Sequence, residues 1–228
     1  MKKLIVIAAA LFVGLQANAQ IIFNGGYLHA TESTTLTEKN LVNEDVTLNG
    51  TDILDGFYAG AKYRINLDGI TEGLSFAPGV NFSFLFGRHN SLDARDPMDD
   101  KAIMNQIALN VPLHVQYLFE ITPDFKLEAW AGPTFQYGLY DRVIDNGENP
   151  VYIFDQYKLI KSAALIVGTR EMAPRSPFNL YLGIGAGVEV AELVHVNVGY
   201  DFGLLNLSTA QNGKILRGML RVGVGYNF

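Results

Sequence analysis

Residues 180–204 read LYLGIGAGVEVAELVHVNVGYDFGL, two strictly alternating segments joined by a short turn. In each segment an apolar residue recurs at every second position, with a glycine or a polar residue between. This period of two is typical of a β-strand with two different faces, whereas an amphipathic helix repeats every three to four residues. The stretch therefore predicts two antiparallel strands joined by a hairpin turn at Ala191–Leu193.

The same alternation extends along the rest of the 228-residue chain. An uncharged apolar phase recurs in eight segments, which are Ile21–Tyr27, Phe57–Leu67, Phe76–Phe86, Ile107–Phe119, Leu127–Leu139, Leu180–Val190, Val194–Leu204 and Leu216–Phe228. The 14 Phe, 11 Tyr and 23 Gly also favour β-structure with tight turns. Pro78, Pro112 and Pro133 fall inside these segments, where a proline forfeits a ladder hydrogen bond and usually marks a bulge. We expect an all-β fold of eight strands.

The opposite face of the predicted strands is polar or lacks side chains. Its charged members are Lys62, Arg64, Glu128, Glu189, Asp201, Arg217 and Arg221. Alternation alone does not say which face points inward, but volume does, because the interior of an eight-stranded barrel is only wide enough for side chains to fill it. The apolar face carries most of the aromatic side chains and would overfill that space. We therefore expect the apolar face to point outward into lipid and the charged face to line the lumen.

A sheet in lipid has to close into a barrel, because an unpaired backbone group in hydrocarbon costs several kcal/mol. The predicted connections alternate in length: short ones at Asp68–Gly73, Glu120–Asp124 and Ala191–Leu193, long ones at Ala30–Asp55, Arg88–Ala102, Asp141–Pro177 and Leu205–Lys214. Short periplasmic turns opposite long external loops are typical of bacterial outer-membrane barrels. The sequence predicts an eight-stranded antiparallel transmembrane β-barrel in the outer membrane, with both termini in the periplasm.

The connection Asp141–Pro177 leaves an alternative open, because it exceeds ordinary loop length. Val151–Phe154 and Ala163–Val167 within it have the composition of an additional hairpin. A ten-stranded barrel is therefore the alternative to eight strands.

The N-terminus has the three parts of a secretory signal peptide. Lys2 and Lys3 are followed by an apolar stretch that ends at Leu15, and Ala17 and Ala19 then give the small-x-small pattern of a cleavage site. The stretch is shorter than the roughly 20 residues of a membrane anchor. We expect residues 1–19 to be a signal peptide and residues 20–228 to form the barrel domain.

Composition excludes several classes of function. With 17 basic and 23 acidic residues the formal charge is −6, and no basic run suggests a nucleic-acid partner. The chain has no cysteine and four histidines, so that disulfides, a cysteine nucleophile and thiolate metal sites are excluded and no transition-metal site stands out. We expect no cofactor and no metal. The expected partners are outer-membrane lipid and lipopolysaccharide.

Gly183, Gly185 and Gly187 suggest a nucleotide-binding loop at first sight. The dinucleotide motif needs G-x-G-x-x-G between a strand and a helix, whereas these glycines alternate strictly within one strand. They indicate a strip of lumen wall without side chains. The lumen charges themselves fit a structural salt-bridge network better than a conducting pore, because buried charges in a low dielectric need partners.

Short motifs in a characteristic order carry a resemblance to a known family. They are Asn110–Leu113, Ala131–Pro133 after the single Trp130, Gly183–Glu189, Tyr200–Leu204 and Arg221–Phe228. In these motifs the chain resembles the small outer-membrane β-barrel proteins of Bacteroidetes, the outer membrane protein beta-barrel domain or porin-like family. The resemblance implies an eight-stranded barrel, and it implies that Tyr226 and Phe228 belong to the signal read by the outer-membrane assembly machinery. It also raises a PorT-like role in secretion, with surface or secretion partners.

One enzymatic alternative rests on His89 and Ser91, with Asp93 as the acid, because lipid A deacylase-type barrels activate a serine hydroxyl with a nearby histidine. The pattern places His89 and Ser91 on the lumen phase of their strand, although such an enzyme has to meet lipid. We therefore expect a non-enzymatic barrel with a structural or surface-interaction role and at most a narrow solute path.

Overall fold

The computed structural model describes residues 19–39, 45–88, 103–144, 151–152, 165–167, 170–172, 175–209 and 212–228. Within these ranges the chain forms the strands β1 (Ala19–Lys39), β2 (Asp45–Asn66), β3 (Leu74–Arg88), β4 (Ile103–Thr122), β5 (Phe125–Ile144), β6 (Val151–Tyr152), β7 (Leu165–Val167), β8 (Arg170–Met172), β9 (Phe178–Val190), β10 (Val194–Gly203) and β11 (Gly213–Asn227). Among the described residues, no helix is long and apolar enough to span a membrane.

Eight of the described strands close into a ring. The order is β4-β3-β2-β1-β11-β10-β9-β5, and a further pairing of β4 with β5 joins the two ends. Every neighbouring pair in this ring is antiparallel. The prediction of a closed eight-stranded antiparallel barrel is confirmed.

The ten-stranded alternative is wrong for the described residues. β5 pairs directly with β9 from Phe125↔Val190 to Tyr137↔Phe178, which leaves no place between them for an inserted hairpin. β6 pairs with the outer end of β5, and β7 pairs with β8 in a separate two-stranded sheet. The described parts of the two apolar segments, Val151–Tyr152 and Leu165–Val167, thus form short strands that are not inserted into the ring.

The apolar face of each strand points away from the barrel axis. Phe82, Val198 and Val222 are 56%, 48% and 43% exposed, whereas Arg64 and Arg221 are only 2% and 7% exposed. The orientation argued from side-chain volume is therefore confirmed. A wall of exposed aromatic and branched side chains is stable where lipid is the solvent.

The first two strands are much longer than the alternation of apolar residues indicates. Their register runs without a break from Ala19↔Ile65 to Lys39↔Asp45, so the prediction of a loop over Ala30–Asp55 is wrong. In this outer part the inward phase is mixed, with Ala30 and Leu36 buried beside Glu32 and Thr34. The outward phase carries hydroxyl groups, on Thr31, Ser33, Thr35 and Thr37. A search for an apolar outward phase misses such a strand, because here the outward side chains carry hydroxyl groups.

The predicted connection Asp141–Pro177 also begins too early, since β5 continues to Ile144. A register shift opposite Ile107/Ala108 leaves Leu139 outside the ladder. Beyond this bulge the inward phase moves from even to odd residue numbers, and Asp141 and Val143 are buried. The bulge therefore turns an acidic residue into the lumen at the outer end of the barrel.

The three strand prolines lie side by side on β3, β4 and β5. Pro78 pairs with Leu113, and Pro112 pairs with Thr134. The ladders are interrupted next to them, between Pro78 and Asn81 and between Pro112 and Val115. The missing proline N–H groups thus fall within one irregular patch of the wall, where few ladder bonds are lost.

The turn between β9 and β10 is tight and lies at the end of the barrel near both described termini. Ala191 and Glu192 both have positive φ, 53° and 57°, as a type I′ hairpin requires. Lys126 Nζ lies 2.5 Å from Glu192 Oε1 and lowers the pKa of the Glu192 carboxyl by donating a hydrogen bond to it. Asn227 Nδ2 donates to the Glu192 carbonyl at 2.7 Å, which ties the turn to the last strand.

Candidate functional site

The lumen contains the charged residues that the sequence singled out, arranged at three levels along the axis. At the level nearest the short turns, which we call the inner ion cluster, Arg64 meets Glu189 and Glu128. Arg64 Nη1 lies 2.7 Å from Glu189 Oε2, and Arg64 Nη2 lies 3.7 Å from Glu128 Oε2. Lys62 Nζ reaches Glu128 Oε1 at 3.5 Å. Four of the seven predicted lumen charges are thus in one cluster.

His195 is the centre of this cluster and is absent from the predicted network. Its ring nitrogens lie 3.1 Å from Glu128 Oε2, 3.1 Å from Glu189 Oε2 and 2.6 Å from Asn227 Oδ1. The sequence signal is its position on the polar phase of its strand. Which carboxylates it meets depends on the pairing of strands that are distant in the chain.

The middle level is built around Trp130, the single tryptophan of the chain. Its ring stacks on His114 with a centroid distance of 4.4 Å and an interplanar angle of 12°. The Arg221 guanidinium also lies over the tryptophan ring, 5.5 Å from its centroid. The same guanidinium donates a hydrogen bond to Asp201. An aromatic plate and one ion pair thus cross the barrel at this height.

The alternating glycines of β9 make room for this plate. A Cβ atom at Gly185 would lie 2.3 Å from Trp130 Cζ2, and one at Gly199 on β10 would lie 2.2 Å from the same atom. At Gly183 an added Cβ would lie 2.4 Å from Asp201 Oδ1. The glycine strip is therefore a bare wall against which the indole and the carboxylate pack.

Uncharged polar side chains form a continuous chain of hydrogen bonds above Trp130. Asn110 Nδ2 donates to Ser83 Oγ at 2.9 Å, and Gln136 Nε2 donates to Asn110 Oδ1 at 2.9 Å. Tyr181 Oη donates to Gln136 Oε1 at 3.0 Å. Connected donors and acceptors of this kind satisfy the polar atoms without water and rigidify the interior.

The outer level, called here the outer ion cluster, combines one predicted lumen residue with three from segments predicted as loops. Arg217 Nη2 lies 2.5 Å from Glu32 Oε2, and Arg175 Nη1 lies 2.7 Å from Glu32 Oε1. Arg175 Nε is 3.7 Å from Asp141 Oδ2, which also accepts from Gln106 Nε2 at 3.1 Å. Arg175 precedes β9, so its guanidinium enters the mouth of the barrel from a connection rather than from the wall.

An apolar cluster also fills the outer half of the lumen, which corrects the expectation of a wholly polar interior. Its buried members are Leu28, Ala30, Leu54, Tyr58, Leu85, Met104, Val143, Tyr181 and Met219. Several come from the parts of β1, β2 and β5 that extend past the lipid-facing band. At this height the interior packs through apolar contacts, as the core of a water-soluble protein does.

The described part of the lumen holds two small cavities. One has a volume of about 20 Å³ and is bordered by Trp130, Lys62 and Asn197, and the other has a volume of about 10 Å³ beside Met219. A cavity of this size holds roughly one water molecule. Around these two cavities, side chains occupy the described part of the lumen.

The remaining predicted residues lie elsewhere or outside the described ranges. Tyr226 and Phe228 point outward, and the Phe228 ring contacts Phe23 edge-on at 5.4 Å between centroids. Ala17 lies outside the described residues, and Ala19 begins β1. His89, Ser91 and Asp93, the enzyme alternative, also lie outside them.

Comparison with known proteins agrees with this architecture. Residues 5–228 match the family described as outer membrane protein beta-barrel domain. The chain belongs to this family of outer-membrane β-barrels. No curated protein matches it significantly.

Several solved outer-membrane barrels are similar in fold. Ail, the attachment invasion locus protein of Yersinia pestis, solved with the heparin analogue sucrose octasulfate, is 10% identical, with 92% of this chain and 99% of Ail covered and a TM-score of 0.43. Neisserial surface protein A is 15% identical, with coverage of 90% and 99% and a TM-score of 0.41. OprG of Pseudomonas aeruginosa is 13% identical, with coverage of 92% and 96% and a TM-score of 0.38.

Proposed function

We propose that this protein is a non-enzymatic, non-conducting outer-membrane barrel that serves as a rigid membrane platform for surface interaction. The observation that carries the proposal is the filled lumen. Ion clusters at two heights and the Trp130 plate between them cross the interior, and the described cavities hold about one water molecule each. Conduction of ions needs a continuous water-filled path, and this packing argues against one.

The lumen charges form ion pairs that link different strands of the barrel. Arg64 on β2 joins Glu189 on β9, and Arg217 on β11 joins Glu32 on β1. A buried charge whose partner is lost is strongly unfavourable, so such pairs specify one packing of the wall. These ion pairs therefore stabilise the barrel, since each of these charges is paired with an opposite charge.

The outer hairpin of β1 and β2 supplies the surface for interaction. Beyond the lipid-facing band it presents a row of hydroxyl and amide groups to water, and Thr35 Oγ1 donates to Asn49 Oδ1 at 3.1 Å across the pair. Hydroxyl and amide groups of this kind can form hydrogen bonds with the polar surface of a partner.

Planar-bilayer recording of the purified full chain tests the proposal. We expect no stable openings in the wild-type protein at a protein density at which a general porin, reconstituted in parallel, conducts. Trp130→Gly combined with Arg175→Gly removes the central plate and one arginine of the outer ion cluster, and it is expected to give measurable openings if the double variant stays folded. A stable, ion-selective channel in the wild type would refute the proposal.

Two narrower assignments are proposals with separate tests, and the enzymatic alternative has a test of its own. Cleavage after Ala19 is supported by the Ala17–Ala19 pattern, and N-terminal sequencing of the mature protein tests it. A PorT-like role among Bacteroidetes barrels is supported by the order of the short motifs, and co-purification with secretion proteins tests it. The acyl-modifying alternative predicts a lipid A mass profile that changes on expression and reverts with Ser91→Ala.

A further inference from the structure

A groove of about 630 Å³ crosses the outward face of β2, β3 and β4 near their outer ends. Its apolar lining includes Ile53, Phe86 and Ile103, each about half exposed. The groove opens toward lipid, on the side of the barrel away from the short turns. Acyl chains gain free energy by covering apolar surface of this kind in place of water at the membrane boundary.

Two arginines lie on the outward face around this groove. Arg88 is next to Ile53 and Ile103 in the strand register, and Arg142 is next to Asn105 one strand further along. With the Asn105 amide oriented to place its oxygen toward β5, that oxygen accepts from Arg142 Nη2 at 3.2 Å. Arg142 also lies over the Tyr140 ring, 5.8 Å from its centroid.

Neither guanidinium is neutralised within the part of the chain that the structure describes. No carboxylate there forms an ion pair with Arg88 or Arg142, and Arg142 Nε has no hydrogen-bond acceptor. The carboxylate that borders the groove, Asp55, is engaged elsewhere. It accepts a hydrogen bond from the Tyr27 hydroxyl, and its Oδ1 lies 2.8 Å from His29 Nδ1.

The spacing of the arginines suits one phosphate group. Arg88 on β3 and Arg142 on β5 are separated by two strand spacings across the sheet and by two residues along the strand. This corresponds to about 12 Å between their backbones. Two extended arginine side chains cover that span. Guanidinium groups bind phosphate through paired hydrogen bonds, and the aromatic ring under Arg142 orients one of them.

We infer that this groove is a binding site for the phosphorylated glycolipid of the outer leaflet. A phosphate lies between Arg88 and Arg142, and an acyl chain runs over Phe86 toward Phe84. This inference rests on the proposed placement in the outer membrane. It goes beyond that placement by assigning one lipid class to one face of the barrel.

Native mass spectrometry of the full chain, released from mixed nanodiscs of phosphatidylcholine and lipid A, tests the inference. Arg88→Gln and Arg142→Gln are each expected to lower the retained lipid A about tenfold, since a charge-assisted hydrogen bond contributes on that order. Lys214→Gln is the matched control, because Lys214 is an exposed cation at the outer end of β11, away from the groove. It is expected to retain lipid A as the wild type does.

Two further lipids test the chemistry. Dephosphorylated lipid A is expected to be retained as weakly as lipid A is by the arginine variants, and phosphatidylglycerol is expected to be retained weakly by every variant. Equal retention of lipid A by all variants would overturn the inference. So would equal retention of dephosphorylated lipid A. Retention of phosphatidylglycerol equal to that of lipid A would also overturn it, because the barrel would then bind anionic lipid without selectivity.

Each variant is first checked for a heat-modifiable band on SDS gels and for recovery in the outer-membrane fraction. Both arginines point outward, so their replacement leaves the lumen packing untouched. A wild-type protein missing from that fraction would refute the proposed placement itself. A correctly placed barrel without lipid selectivity would refute the groove assignment alone.

Discussion

The indole of Trp130 occupies the space that a side chain at Gly185 would need: an added Cβ there would lie 2.3 Å from Trp130 Cζ2. The contact joins β5 to β9, which pair along Phe125–Tyr137. A single methyl group at this glycine therefore has to displace an aromatic plate that is also stacked on His114. The relationship explains why glycine recurs on this wall and gives the first prediction.

Gly185→Ala is expected to lower the free energy of unfolding by about 1–3 kcal/mol, because overpacking forces the rings and backbone to shift. Urea unfolding in lipid vesicles, followed by heat modifiability on gels, measures the loss. Gly69→Ala is the matched control, since nothing lies within 4 Å of an added Cβ at that turn. Gly185→Ala combined with Trp130→Phe is expected to recover part of the stability, and the absence of any recovery would contradict the packing argument.

Asp201 and Arg221 form an ion pair that suits a double-mutant cycle. Asp201→Leu or Arg221→Met alone leaves one charge buried without its partner and is expected to cost about 3–5 kcal/mol. The double replacement is expected to cost much less than the sum of the two. Urea unfolding monitored through Trp130 fluorescence gives all four stabilities. Strict additivity would show that the two residues act independently.

Ala191 adopts a left-handed backbone, with φ of 53°, at the first central position of the β9–β10 turn. Ala191→Asn is expected to stabilise the barrel by about 1 kcal/mol, because asparagine tolerates this conformation better than alanine does. The midpoint temperature of the heat-modifiable band measures the change. The same replacement at Ala59, in the regular part of β2, should give no stabilisation; a gain there would point to a general effect of asparagine.

The absence of cysteine in the chain allows its orientation to be tested directly. Asn49→Cys, on the exposed outer part of β2, is expected to react with a membrane-impermeant maleimide on intact cells. Gly69→Cys, in the opposite turn, is expected to react only after the outer membrane is permeabilised. The reverse labelling pattern would mean that the barrel has the opposite orientation in the membrane. Labelling of neither cysteine would mean that the maleimide reaches neither end of the barrel.

Much of the barrel could be predicted from local pattern. The outward phase of β10, with Val194, Val196 and Val198, is apolar at every second position, and the pattern sets the strand and its faces together. The outer parts of β1 and β2 could not be found in this way. Around Thr31–Thr37 the outward face carries hydroxyl groups and the inward face includes Glu32 and Thr34, so the apolar phase that identifies the other strands is absent.

The outer ion cluster likewise contains residues that the sequence pattern identifies and residues that it misses. The polar phase of a clear strand identifies Arg217, whereas Glu32, Asp141 and Arg175 lie in segments that the sequence predicts as loops. For Asp141 a bulge at Leu139 also changes which residues face inward. A bulge inserts one residue and exchanges the inward and outward positions of all residues beyond it in the strand. A two-residue period in the sequence does not predict where a bulge occurs.

The sequence by itself determined the strand count of the ring and the direction in which its faces point, because a two-residue period is local and side-chain volume settles which face fits inside. Only the tertiary structure decided which charges meet. Arg64 and Glu189 are 125 residues apart in the chain, yet they lie 2.7 Å apart across the lumen. That contact depends on the stagger of strands around a closed ring, which is set by all the pairings together and by no single segment.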